Sequence, residues 1–239
     1  MLNVTPSGTS DRYCTILTDQ LGVVGAYAKG ARSMKNKNFA ATEQFVYGRF
    51  ELFANKGHYS LDESDGEEMH LGLRNDIVSL ATGQYLCQLA MEFAPREEPA
   101  EECLAVMRGA FFYLSGHKRP PSQIKAAAEM RLLSLAGYMP DLTGCRCCGA
   151  SERDGMFFLP DEGALQCGTC TPPGSRTGLP VSRGALASMR HVILSEAREM
   201  YAFTVGGESL AQFGRAAEAF SVIHTEKKLK TLAFLHSLM

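Results

Sequence analysis

Five cysteines fall within the stretch "CRCCGASERDGMFFLPDEGALQCGTC", Cys145 to Cys170, in a chain of 239 residues that has eight cysteines in all. Thiols at such spacing can bind a metal, exchange disulfides or form structural cross-links. Cys145 with Cys148 and Cys167 with Cys170 make two C-x2-C pairs separated by eighteen residues, inside the window of four-thiolate zinc sites. Between them "MFFLPDEGAL" predicts a hairpin, Met156 to Leu159 and Ala164 to Gln166 about a "PDEG" turn, which brings the two pairs together. Cys147 stays an extra thiol, because adjacent Cys147 and Cys148 cannot easily chelate one ion in relaxed geometry. Neither pair opens a helix after a strand, which argues against thioredoxin-like exchange. Four thiolates close the coordination shell and leave no position for water, so the expected zinc is structural rather than catalytic.

Other chemistry finds no home. A zinc deaminase needs H-x-E together with P-C-x-x-C, but Gly144 and Gln166 precede the two pairs and His70 is followed by Leu71 and Gly72. The phosphate-cradling, H-E-x-x-H and G-x-S-x-G patterns are absent. "GVVGAYAKG" lacks dinucleotide-binding spacing, and its glycines read as turn and strand positions. The sequence therefore predicts a protein that is not an enzyme; a metal-dependent hydrolase would need an open position on the metal.

The elements that must position the cysteines differ between the two halves. With 45% hydrophobic residues the chain can bury a sizeable core. "MLNVTPSGTSDRYC" has no basic and apolar signal, and no stretch approaches the ~20 apolar residues of a bilayer span, so a cytosolic chain with reduced thiols is expected. From Tyr13 to about Leu61, "YCTILT", "VVGAYAKG" and "FVYGRFELFANKGHYSL" alternate at period two and are broken by "TDQLG" and "NKG", which predicts a small sheet or barrel. In "FVYGRFELF" the alternation puts Val46, Phe50 and Leu52 on one face and Phe45, Tyr47, Arg49, Glu51 and Phe53 on the other. The period lengthens beyond about residue 69. Leu73, Ile77, Leu80, Gln84, Cys87, Leu89 and Phe93, then Leu104, Met107, Phe111 and Leu114, mark helices. "SQIKAAAEMRLLSLAGYMP" predicts a helix capped by Ser122, striped by Ile124, Ala128, Leu132 and Leu135, and ended by Gly137 and Pro140. Leu186, Met189, Ile193, Ala197 and Met200 predict another, and Leu210, Phe213, Ala217 and Phe220 one more.

Charge is distributed unevenly beneath a net value of -2. Residues 12 to 60 hold seven bases against three acids, whereas residues 61 to 102 hold two bases against eleven acids. "AKGARSMKNKNF" concentrates Lys29, Arg32, Lys35 and Lys37 on one expected loop, a pattern suited to phosphates. Arg12 and Arg49 flank it, and Lys227, Lys228 and Lys230 form a second basic group.

Several of these residues carry a family pattern. "SGTSDRYCTILTDQLGVVGAYAKGAR" resembles the opening of the RecO recombination-mediator family; "MRLLSLAGYMPDLTGCRCCG" resembles its helix that runs into C-x2-C-G, and "GALQC" and "EKKLKTLAFL" its second zinc half and C-terminal segment. Gly149 after Cys148 agrees with Cys145 and Cys148 as the first pair. The resemblance implies an α+β chain: an N-terminal OB-fold β-barrel over 1–68, a helical domain over 69–140, an inserted four-cysteine zinc module over 141–175, and helices over 176–239 that complete the helical domain. It places Lys29, Arg32, Lys35 and Lys37 on phosphate. It further implies a bacterial, nucleoid-associated protein that binds single- and double-stranded DNA, anneals strands coated by single-strand binding protein through that protein's C-terminal tail, and works with RecR to load RecA, with no membrane partner. Against the family pattern "MLNVTPSG" is a short opening, which implies either an incomplete barrel or a true start upstream, and Asn36 stands where the family favours Ser. The competing reading is a zinc-ribbon module that binds or regulates another protein, with DNA contact incidental.

Overall fold

The computed structural model describes residues 1–55, 58–153, 155–172, 178–225 and 227–238. Lys56 and Gly57 of the expected "NKG" turn, residues 173–175 of the expected 141–175 module and Glu226 of the C-terminal segment lie outside the described residues. Two compact units form, Met1–Gly116 with Leu229–Met239 and His117–Lys228.

In the first unit, strands β1 (Asn3–Ser7), β2 (Asp11–Thr18), β3 (Gly22–Ala28), β4 (Tyr47–Asn55) and β5 (His58–Glu68) make one sheet in the order β1-β2-β3-β5-β4. All neighbours are antiparallel except β3 and β5. Beside β1, Met1 closes the ring: its amino group donates to the Val46 carbonyl at 2.7 Å, and its carbonyl accepts from the Phe45 N–H at 3.0 Å. The result is an OB-fold barrel. Period-two alternation turns Cys14, Ile16, Val24, Ala26, Ala28 and Leu61 inward to its core.

Four sequence expectations change here. The sheet starts before Tyr13, and β1 pairs along its whole length with β2, so the first strand is present. Phe45 does not share the outer face of β4. It sits just before the strand with φ 73, which breaks the alternation, and packs edge-on against Phe111. Bulges between Tyr47 and Gly48 and between Glu51 and Leu52 bend β4 further. Ile77 is exposed, because α1 (Ile77–Phe93) begins there, capped by Asp76, whose carboxylate accepts from the Ser79 N–H at 2.7 Å. In the same unit α2 (Glu101–Ser115) packs on α1, and α6 (Lys230–His236) returns to α1, where Gln88 accepts from the Thr231 N–H at 3.3 Å. The α1–α2 connection is tied to the barrel by Val23 N–H to Pro95 O at 2.8 Å and Ala100 N–H to Asp19 O at 2.7 Å.

The second unit is built around α3 (Pro121–Leu135), which is followed by β6 (Asp141–Cys145), β7 (Met156–Leu159), β8 (Ala164–Cys167), β9 (Leu179–Val181), α4 (Arg183–Leu194) and α5 (Gly207–His224). The cap expected at Ser122 is not made: Pro120 is the N-cap and Pro121 opens the helix, where a missing N–H costs nothing. The expected end is observed, with Gly137 at φ 96. Rather than one stripe, α3 buries every residue from Gln123 to Met130, because α4 and α5 both pack on it. Helix α4 stops at Leu194, so Ala197 and Met200 lie beyond it; Met200 is still buried. Among the described residues no helix is long and apolar enough to cross a membrane.

Candidate metal centre and nucleic-acid interface

The second sheet, ordered β6-β8-β7-β9, delivers the cysteines. The β7–β8 hairpin forms with Met156 opposite Cys167 and Leu159 opposite Ala164, as "MFFLPDEGAL" predicts. Cys145 ends β6, Cys148 lies in the turn beyond it, Cys167 ends β8, and Cys170 ends the short 3-10 turn Gly168–Cys170. The Gly149 N–H returns to the Cys145 carbonyl at 2.7 Å, and the Cys145 N–H reaches the Ala150 carbonyl at 2.9 Å. Gly144 permits that fold-back, since a Cβ there would meet the Gly149 oxygen at 2.7 Å.

The four sulfurs all lie within 4.8 Å of one another, and those of Cys148 and Cys167 are 3.8 Å apart. A tetrahedron with metal–sulfur bonds of roughly 2.3 Å has edges of about 3.8 Å, against roughly 2 Å for a disulfide. None of these four cysteines is in a disulfide. Burial by itself raises the Cys145 thiol, but the N–H groups of Cys167, Cys148 and Cys147 directed at its sulfur hold it down at about 6. Cys170 moves the other way, to about 12, through its hydrogen bonds with the sulfurs of Cys167 and Cys148. The four sulfurs thus make an all-cysteine donor set that fits a thiophilic cation. Cys147 is exposed and outside the cluster.

Arg190 of α4 holds the module from below and was not evident from spacing. Its guanidinium donates to the carbonyls of Leu142 at 2.8 Å, Ser151 at 2.9 Å and Thr143 at 3.3 Å. An arginine on a helical stripe gives no sign of a target some forty residues upstream.

The nine basic candidates divide by what they touch. Arg12 is largely buried and faces inward to the protein: it donates to the Phe39 carbonyl at 2.9 Å, to Thr42 Oγ1 at 2.9 Å and to Glu43 at 2.7 Å, and lies over the Phe39 ring. Arg32 is exposed but fastens its loop to the β1–β2 turn through the carbonyls of Gly8 and Thr9 at 3.2 and 3.1 Å. Asn36 shapes the same loop, donating to the Lys29 carbonyl at 3.1 Å and accepting from the Asn38 N–H at 2.8 Å. Lys29 and Lys35 are exposed. Lys37 faces Glu63 at 3.4 Å and Arg49 faces Glu67 at 3.1 Å, all four on the surface, where such pairs are worth about 0–1 kcal/mol and yield readily to a phosphate. Lys227 and Lys228 end the second unit, while Lys230 opens α6 in the first; all three are exposed.

Two family models cover this chain, "Recombination protein O N terminal" over residues 1–68 and "Recombination protein O C terminal" over residues 74–233. The chain belongs to the RecO family. It is similar to the DNA repair protein RecO of Symbiobacterium thermophilum, 31% identical over 232 residues that make up 96% of this chain and 91% of that one. The RecO of Anaeromyxobacter dehalogenans is 30% identical over 242 residues, 98% of this chain and 93% of the relative. That of Acetivibrio thermocellus is 28% identical over 232 residues, with 97% and 92% covered. Membership in RecO supports a part in DNA repair and recombination.

Proposed function

We propose that this RecO chain is a recombination mediator that acts by binding rather than by catalysis. It holds single- and double-stranded DNA, anneals complementary strands coated by single-strand binding protein, and works with RecR to place RecA on that coated DNA. The observation that carries this reading is an OB-fold barrel whose β3–β4 connection presents Lys29, Arg32, Lys35 and Lys37 on its surface, in a chain matched to RecO along nearly its whole length. Barrels of this kind take single strands along a basic, aromatic-lined face. The ion at Cys145, Cys148, Cys167 and Cys170 is zinc in this reading, as the all-sulfur donor set favours, and its part is to cross-link β6 to β8.

A strand-annealing assay with and without the cognate single-strand binding protein tests the whole. Annealing of the coated strands should be accelerated by this chain; if coated strands stay apart while naked strands anneal, the mediator reading is lost and only DNA binding remains. For the loop, replacing Lys35 and Lys37 together with Ala should weaken binding to every oligonucleotide sequence alike. The slope of log affinity against log salt should fall by about 0.7 for each phosphate contact removed on single strands. An unchanged slope would mean that these two lysines meet only water and Glu63.

A further inference from the structure

A cleft of about 590 Å3 in the first unit is lined by Arg12, Arg32, Glu43, Arg74, Leu80 and Gln84. Its charges come from three separate places in the chain: strand β2, the connection from β3 to β4, and the 3-10 turn Leu71–Asn75 ahead of α1. Glu43 stands between two of the guanidinium groups, with one carboxylate oxygen 2.7 Å from Arg12 and the other 3.3 Å from Arg74. Three arginines against one carboxylate leave the cleft two positive charges in excess. Arg74 belongs to residues 61 to 102, where it is one of two bases among eleven acids. Even so, the one carboxylate it meets among the described residues is already bound to Arg12. Like charges gathered in this way repel one another until an anion joins them.

The three guanidinium groups differ in how much of their hydrogen-bonding capacity the fold uses. Arg12 is held by the carbonyls of Phe39 and Thr42, by Thr42 Oγ1 and by Glu43, so it is fixed and contributes charge rather than reach. Arg32 spends Nη1 on the carbonyls of Gly8 and Thr9, and Arg74 spends Nη2 on Glu43. Among the described residues their remaining N–H groups have no protein partner, nor has the Gln84 amide, which lies one turn from Leu80 on the same face of α1. A guanidinium fork with N–H groups to spare is the side chain best matched to the oxygens of a phosphate.

Charge and shape select among phosphates. A backbone diester carries one negative charge, whereas a monoester carries about −1.5 to −2 near pH 7 and presents three terminal acceptor oxygens. The excess of two positive charges matches the monoester. A cleft takes in a terminus or a small molecule, while a strand that continues past its site needs an open groove. The exposed lysines of the β3–β4 connection suit the continuing strand; the cleft between Arg32, Arg74 and Gln84 suits an end.

We propose that this cleft is a phosphate-monoester site, with Arg74 and Arg32 as its donors, Gln84 beside them, and Arg12 and Glu43 as positioning residues. The monoester is either the 5′-terminal phosphate of a DNA strand, a form that rests on the DNA-binding reading above, or a free phosphate, which does not. Two sets of probes on the full chain separate them. Inorganic phosphate and thymidine monophosphate are titrated by calorimetry, and 5′-phosphorylated oligo-dT is compared with its 5′-hydroxyl twin. A strand-end site gives the phosphorylated oligonucleotide roughly tenfold tighter binding, the low end for one hydrogen bond to a charged group. A free-phosphate site gives binding of the small probes with no end preference. Either signal should vanish in Arg74→Ala, and also in Gln84→Glu, which brings a carboxylate into the cleft and leaves the contacts of Glu43 with Arg12 and Arg74 in place. Replacing Lys35 and Lys37 with Ala should instead weaken both oligonucleotides alike and keep their ratio. Unaltered melting of each variant separates a lost ligand from a lost fold. If the small probes do not bind and the two oligonucleotides bind alike, or if both variants keep the wild-type discrimination, the site is refuted. If neither oligonucleotide binds while the small probes do, the DNA-binding reading fails and this site stands.

Discussion

Cys167→Ala should abolish metal binding and unfold much of the second unit. Cys167 ends the central strand of the module, its sulfur lies 3.8 Å from that of Cys148, and its N–H donates to the Cys145 sulfur at 3.3 Å, so one truncation removes a ligand from a shell that has no spare. The module has little else to replace that cross-link: β6 pairs with β8 through only two registered positions, and the other strands of the sheet are three or four residues long. Structural zinc in a four-thiolate site is worth on the order of 10–16 kcal/mol of local folding free energy, more than a domain's usual margin. Metal content should fall from about one ion per chain to none, and chelation of the wild-type chain should give the same result. Cys147→Ser should keep its metal, since Cys147 is exposed and outside the cluster. Single-strand affinity should survive in large part, because the barrel belongs to the other unit. Should stability persist in Cys167→Ala while annealing collapses, the sulfurs or their metal act directly and a purely structural role is wrong.

Lys125→Met should cost about 3–5 kcal/mol of the second unit's stability, as removal of one partner from a buried pair does. The Lys125 ammonium lies 2.7 Å from Glu129 and 2.8 Å from Glu218, joining α3 to α5, and Glu129 is fully buried. Burial lowers the Lys125 pKa, but the two carboxylates outweigh it, so the net shift is upward and the ammonium stays charged in the folded state. A folded pKa above the unfolded one gives a contribution that is fully present below the unfolded lysine value and is lost as pH rises through the folded one. Lys125→Met leaves the Glu129 carboxylate without its cation in the core. Lys125→Met with Glu129→Leu removes both charges and should recover wild-type stability or exceed it, while Glu218, 28% exposed, turns to water. Denaturant midpoints of the single and double variants decide the matter; equal losses in both would mean that volume, not charge, sets the cost.

These two predictions start from opposite kinds of information. The four-cysteine cluster was readable in the chain because its geometry is local. C-x2-C spacing fixes two sulfurs on one turn, a four-residue turn between apolar runs makes a hairpin, and the hairpin can bring the pairs together in only a few ways. Helix positions were readable for the same reason, since a stripe at helical period reports burial without reference to any partner. The ion cluster left no such mark: Lys125 and Glu129 are an ordinary i,i+4 pair, and nothing in the spacing says that α5 brings Glu218 against them from 93 residues away.

Arg12, Arg32 and Phe45 show where local reading stops. A basic residue in a basic stretch has the same composition signal whether its guanidinium meets a phosphate or, like Arg12, the carbonyl of Phe39 and the carboxylate of Glu43. Phe45 continues the β4 alternation in sequence, but φ 73 turns it into the core, and a backbone dihedral of that sign at a non-glycine residue is imposed by packing. Tyr13, Tyr27 and Phe53 share the outer face of the barrel only through register between strands up to forty residues apart, including the parallel pairing of β3 with β5. One residue of slip would send each ring to the other face. Sequence alone determined what each segment can be and which cysteines share a turn; tertiary structure decided which side chains meet, because strand register and helix packing are set by the whole core at once.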